Sequence, residues 1–277
     1  MRSVSLIVGK TAAELALMRE AGRIVAMVLE EVRRAAEPGV STAELDRLAE
    51  EVIRRQGAVP SFLGVPGGPG RPDFPASICA SVNEQLVHGI PSPDVVLREG
   101  DILSVDVGAI YEGWHGDAAI TVGVGRISRL AARLIEATEE ALWAGIAAAR
   151  AGRRVADISR AIQRQVERRG FRAVEEYTGH GIGREMHEPP QVLNYHRPGM
   201  PEGPLLEPGI TLALEPMVNA GTHRTKVLKD GWTVVTADGR LSAHFEHTIA
   251  ITDGRAEILT LPHGSRQRSA VSRGKIG

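Results

Sequence analysis

From position 11 onward, Leu17, Ile24, Val28 and Val32 keep helical spacing among charged residues. Thr11 with Glu14 forms a capping box ahead of this run, and Pro38-Gly39 stops it, so the pattern predicts a helix over 11–36. A second predicted helix opens on the box Ser41 and Glu44 and stops at Gly57. A third covers 128–150, ahead of Gly152, and a fourth covers 156–169, ahead of Gly170. Elsewhere the texture is β-branched or alternating over short, glycine-bounded stretches, which predicts strands at 102–107, 117–122, 211–215 and 246–251. Pro66 to Gly70 and Pro72 hold six prolines and glycines, so 59–75 reads as a loop. Residues 1–10 read as an N-terminal extension, and the polar, basic stretch 263–277 as a flexible tail.

The pattern occurs twice. Pro38-Gly39, Glu44-Leu45 and Gly57 align with Ala151-Gly152, Asp157-Ile158 and Gly170 at a constant offset of 113, from 39 to 152 and from 57 to 170. Leu45, Ala49 and Ile53 match Ile158, Ile162 and Val166 on the helix face. His88-Gly89-Ile90 is repeated as His180-Gly181-Ile182. Val96-Leu97-x-x-Gly100 leading to Asp106 is repeated as Leu205-Leu206-x-x-Gly209 leading to Glu215, and Asp117 with Ile120 pairs with Glu246 and Ile249. An ordered series of this kind indicates a duplication within one domain, with halves of about 11–125 and 126–262.

The repeat changes how the acidic residues read. Asp106 lies between Val105 and Val107, whose side chains point to the opposite face of a strand. Asp117, Glu215 and Glu246 occupy comparable places, and burying such charges is costly unless they are paired or bound to metal. No lysine or arginine lies within the four strand segments to neutralise them. Four carboxylates with an imidazole suit Mn²⁺, Fe²⁺, Co²⁺ or Zn²⁺, and paired ions about 3.5–4 Å apart suit hydrolysis. The formal net charge of −1 gives no electrostatic case for DNA or membrane as the main partner. One cysteine, Cys79, excludes an intramolecular disulfide framework. The first ten residues lack a secretory apolar core and no apolar run reaches the roughly 18 residues of a membrane span, so a soluble, cytoplasmic protein is expected.

The most specific string is Tyr177-x-Gly179-His180-Gly181-Ile182-Gly183-x-x-x-His187-Glu188-x-x-Gln191-Val192-Leu193-Asn194-Tyr195. It resembles the signature of the type I methionine aminopeptidases, as do Ser81-Val82-Asn83-Glu84 leading to His88-Gly89-Ile90-Pro91, then Glu215-Pro216-Met217, and Lys229-Asp230-Gly231-Trp232. The resemblance spans roughly 11–260 and implies an α+β pita-bread fold, two pseudo-symmetric halves with antiparallel strands inside and helices outside. It implies two divalent ions held by Asp106, Asp117, His180, Glu215 and Glu246, with Asp117 and Glu246 bridging both. It further implies that Glu215 accepts a proton, and that His88 and His187 contact the substrate amide and the developing oxyanion. The implied activity is removal of methionine from N-terminal Met peptides and nascent chains ahead of a small second residue. It would act as a monomer, with the ribosome as a candidate contact.

The methionine pocket is expected from Phe62, Phe74, Cys79, Met186 and Trp232. Met186 stands where the family more often has an aromatic residue, Phe62 and Val65 also depart from it, and Pro66 to Pro72 reads as an insertion between two pocket positions. His115 lies beside the site and is expected to be structural. Two rival readings share much of this pattern: a proline-specific dipeptidase or aminopeptidase of the same fold, and a relative that has lost metal and serves as a binding module. The 83–91 string and Trp232 argue against the first, and the complete ligand set against the second.

Overall fold

In the computed structural model, which describes residues 7–68 and 70–261, Thr11 and Glu14 close the expected capping box on helix α1 (Ala12–Ala35). The Thr11 N–H donates to the Glu14 carboxylate at 2.8 Å, and the Glu14 N–H donates back to Thr11 Oγ1 at 3.3 Å. Ser41 and Glu44 repeat the device on α2 (Thr42–Arg55). Helix α3 (Arg129–Ala148) has Ser128 at its cap, and α4 (Val155–Arg168) has Arg154, whose N–H donates to the Asp157 carboxylate at 3.0 Å. The expected tail, and residues 1–6 of the expected extension, lie outside the described residues.

Helices α2 and α4 begin and end 113 residues apart, at 42 and 155 and at 55 and 168. Their surroundings repeat as well. Gly39 N–H donates to Leu97 O at 2.8 Å and Leu97 N–H to Val40 O at 2.9 Å, and the same pair recurs as Gly152 to Leu206 O and Leu206 to Arg153 O. The isolated bridge Ser41–Val96 recurs as Arg154–Leu205. The duplication in the sequence is therefore a duplication of backbone hydrogen bonds.

Strand Ile102–Tyr111 turns at Glu112 (φ 49°) and Gly113 (φ 75°) into Trp114–Gly123, two left-handed residues being what a two-residue hairpin of this twist requires. The pairing extends beyond the expected 102–107 and 117–122 because Gly108 to Tyr111 and Trp114 to Gly116 continue it. Strands Ile78–Val82 and Val59–Pro60 also pair with Ile102–Tyr111, giving four antiparallel strands. In the other half the order is Glu257–Ile258, His247–Ala250, Thr211–Leu214, Gly179–Gly181, Glu188–Val192, all antiparallel. Leu103, Val105 and Val107 pack under α1 and α2 with Ile24, Val28, Leu45 and Ile53. Leu212, Leu214 and Ile249 pack under α3 and α4 with Leu142, Ile158 and Ile162. Each half thus carries its own apolar core beneath its own helices, the expected pita-bread arrangement.

The halves meet along an antiparallel seam. Ala119 and Glu246 exchange backbone hydrogen bonds at 3.3 and 2.8 Å. On one side of that pair the Thr248 hydroxyl joins the backbone N–H and C=O of Asp117; on the other the Thr121 hydroxyl joins those of His244. The partners are 117 with 248, 119 with 246 and 121 with 244, so the local two-fold axis passes between Ala119 and Glu246.

Candidate metal centre

Asp106 pairs with Ala119 and Gly108 with Asp117, which puts both aspartates on one face of the hairpin, opposite the face that Val105 and Val107 give to the core. From the other half, Glu215 follows Thr211–Leu214, Glu246 precedes His247–Ala250, and His180 pairs with Ala213. Gly181 is required next to His180, since a Cβ there would stand 2.2 Å from Pro189 O. Ligand atoms of Asp117, His180 and Glu246 all lie within 4.8 Å of one another, and His180 Nε2 is 3.4 Å from Glu215 Oε1. All five predicted metal-site residues line one cavity of about 250 Å³.

The electrostatics of this cluster call for a cation. Burial first, and neighbouring carboxylates second, push Asp117, Glu215 and Glu246 well above the usual range. Burial pushes Asp106 up to about 7. Burying one ionised carboxylate costs several kcal/mol, more than the roughly 1.5–3 kcal/mol a buried leucine contributes, so four together need compensating charge. Asp106 Oδ1, Asp117 Oδ1 and Glu246 Oε1 are buried without a hydrogen-bond partner among the described residues. His180 Nδ1 lies 2.9 Å from Gly181 O; a carbonyl only accepts, so Nδ1 carries the proton and Nε2 offers its lone pair to the cluster. Oxygen donors with one neutral imidazole fit divalent first-row ions.

His88 and His180 occupy matched places in the repeat but not matched conformations. His88 has φ 57°, a left-handed value worth about 1–3 kcal/mol of strain in a non-glycine residue. Its ring sits edge-on to Tyr177 at 5.9 Å and to Trp232 at 6.1 Å. His187 stands exposed at the mouth, its ring 4.4 Å from that of His180. Burial, then the charge of His187, lowers His88 and His180 to about 4, and partial desolvation of its ring by the surrounding wall lowers His187 although its surface stays open.

Phe62, Val65, Phe74, Cys79, Met186 and Trp232 line the apolar part of the same cavity. Phe74 meets Trp232 edge-to-face at 5.2 Å. Gly64 N–H donates to Phe74 O and Phe74 N–H to Val65 O, closing the base of the Pro/Gly-rich segment while Phe62 and Phe74 both line the cavity. Trp232 Nε1 donates to Pro72 O at 2.8 Å and pins that strap to the wall. Burial pushes the Cys79 thiol well up, leaving it an apolar lining group rather than a nucleophile. His115 bonds Ser61 Oγ through Nδ1 at 3.0 Å.

One residue escaped the sequence reading. His244 is 1% exposed, its Nε2 has no hydrogen-bond partner among the described residues, and it lies 3.9 Å from both Glu215 Oε2 and Glu246 Oε2. The signal was present: it precedes Glu246 by two positions, which in an extended chain is the same face.

The sequence profile of Metallopeptidase family M24 matches residues 16–253. The chain belongs to this family. Among M24 relatives, methionine aminopeptidase 1 of Bacillus subtilis is 53% identical over 255 residues, covering 92% of this chain and 99% of the relative. The crystal structure of methionine aminopeptidase from Thermotoga maritima superimposes with a TM-score of 0.88 at 45% identity, covering 92% of this chain and all of that one. A Xaa-Pro dipeptidase from Bacillus anthracis is more distant, with a TM-score of 0.73 and 25% identity over 92% of this M24 chain and 62% of its own. No helix among the described residues is long and apolar enough to cross a membrane.

Proposed function

We propose that this chain is a methionine aminopeptidase, with residues 11–262 as one catalytic unit, that removes N-terminal methionine from peptides and nascent chains whose second residue is small. One observation carries the reading: a carboxylate and imidazole cluster and an apolar pocket share a single cavity. Asp106, Asp117, His180, Glu215 and Glu246 would hold two divalent ions, of Mn, Fe, Co or Zn. Bound there, the ions supply Lewis-acid activation of water and of the scissile carbonyl.

The chain's own residues do the rest. Phe62, Phe74, Cys79, Met186 and Trp232 take up an unbranched thioether side chain, which suits an apolar cavity of irregular shape. Glu215 borders both the cluster and the cavity, and serves as the proton acceptor. His88 and His187, neutral near pH 7, present N–H donors to the substrate amide and to the oxyanion. A small second residue is required because a bulky one would hold the carbonyl away from these groups, and small misplacements cost large rate factors.

The test is hydrolysis by the chelated chain, resupplied with each divalent ion singly, of Met-Ala-Ser, Met-Arg-Ser and an Xaa-Pro dipeptide. Cleavage of Met-Ala-Ser far above the other two is expected. Equal cleavage of Met-Arg-Ser would refute the small-residue rule, and preference for Xaa-Pro would make this a proline-specific enzyme, the activity named for its Bacillus anthracis neighbour.

A further inference from the structure

We infer that His244 is a positioning residue that orients the carboxylates of Glu215 and Glu246; the inference rests on reading these two as metal ligands. Each glutamate is divided in the same way. Glu215 turns Oε1 towards His180 Nε2 at 3.4 Å and Oε2 towards His244 Nε2 at 3.9 Å. Glu246 turns Oε2 towards His244, also at 3.9 Å, and its Oε1 is one of the partnerless atoms of the cluster. Among the described residues no hydrogen bond reaches either carboxylate, so the imidazole is the polar group standing behind both.

His244 is well placed to hold that position. Its backbone N–H and C=O are both fixed by Thr121 Oγ1 at 2.8 Å, and its side chain is buried. A buried N–H left without a partner costs about 1–3 kcal/mol. A separation of 3.9 Å exceeds a direct hydrogen bond, so the one N–H acts on both glutamates as a shared dipole rather than as a bond to either. With its proton on Nε2, the ring fixes which oxygen of each carboxylate faces the cluster, as groups behind metal ligands do.

The experiment compares the full chain with H244Q, which keeps a side-chain N–H at similar reach, and H244L, which fills the space without a donor. H244M stands in should H244L fail to fold. Each protein is stripped with a chelator, its melting temperature is recorded, and Mn²⁺ is titrated in by calorimetry. Manganese binding weaker by about 10–100-fold is expected for the apolar variant, and near-wild-type binding for H244Q. Wild-type affinity in the apolar variant would overturn the inference. Equal loss in H244Q and the apolar variant would overturn it too, since the imidazole would then act as a ligand or by its shape. A wild-type chain that binds no Mn²⁺ would overturn the metal-site reading itself, and the inference with it.

Discussion

Thr248 and Asp117 lie 131 residues apart, one in each half, and a single hydroxyl joins them: Thr248 Oγ1 accepts from the Asp117 N–H at 3.0 Å and donates to the Asp117 carbonyl at 2.7 Å. The threonine thereby fixes the backbone of a predicted metal ligand from across the seam. Thr248→Val keeps the shape and removes the hydroxyl, leaving two backbone groups short of a partner at about 1–3 kcal/mol each. Urea unfolding should show a loss of roughly that size, with Thr248→Ser recovering most of it. Unchanged stability in Thr248→Val would mean that the seam is held elsewhere.

Asp106→Asn and Glu246→Gln each remove one negative charge from the cluster. Both should lower kcat/KM by orders of magnitude and reduce the number of ions bound, measured by elemental analysis alongside the peptide assay. In the unsubstituted chain, chelation should lower the melting temperature, because repulsion among the buried carboxylates returns and a ligand specific to the folded state is lost.

His88→Ala and His187→Ala should each cost about 10²–10³ in kcat while full metal content is kept, the expected effect of losing one positioned donor. Metal lost in parallel with activity would make them ligands instead.

The depressed pKa of His88 also makes a claim about acid stability. The ring takes a proton near 6.5 when unfolded but only near 4 when folded, so between those values the unfolded chain binds more protons. The stability it contributes is complete above about pH 6.5 and falls as the pH drops towards 4. His88→Asn lacks this contribution, so its unfolding free energy should decline less steeply than that of the wild type over that range. Parallel curves from denaturant titrations at pH 7, 6, 5 and 4 would show that His88 plays no part in acid sensitivity.

Trp232→Phe keeps an aromatic edge for Phe74 and loses the indole bond to Pro72 O. With the strap unpinned, KM for Met-Ala-Ser should rise by about 5–10-fold with kcat nearly unchanged, the signature of lost uniform binding. A fall in kcat at constant KM would instead place the indole in the transition state.

The parts legible in the sequence were those that carry a local signal. Capping residues marked the helix starts, and the 113-residue offset was accurate to the residue for α2 and α4. The acidic residues stood out because each interrupts or borders an apolar strand. The full length of the hairpin was not legible, because Gly108 and Gly116 have the texture of a loop although they pair. The different backbone conformations of His88 and His180 were not legible either, since a left-handed φ leaves no mark when the residue is histidine rather than glycine. Nor was the anchoring of the Pro/Gly-rich segment, to which an indole bond across 160 positions contributes. His244 carried only a faint signal, because a lone buried histidine is more often structural than functional.

The seam gives the molecule a property beyond catalysis. Asp106 and Asp117 come from one half of the chain and His180, Glu215 and Glu246 from the other, so neither half can assemble the cluster alone. Cation affinity is therefore also cohesion: every ion that binds tightens the association of the two halves by mass action. Expressed as separate fragments, 11–125 and 126–262 should find each other more tightly as Mn²⁺ is raised. The spread between their association constants with and without the ion would measure how much of the architecture is held together by its own chemistry.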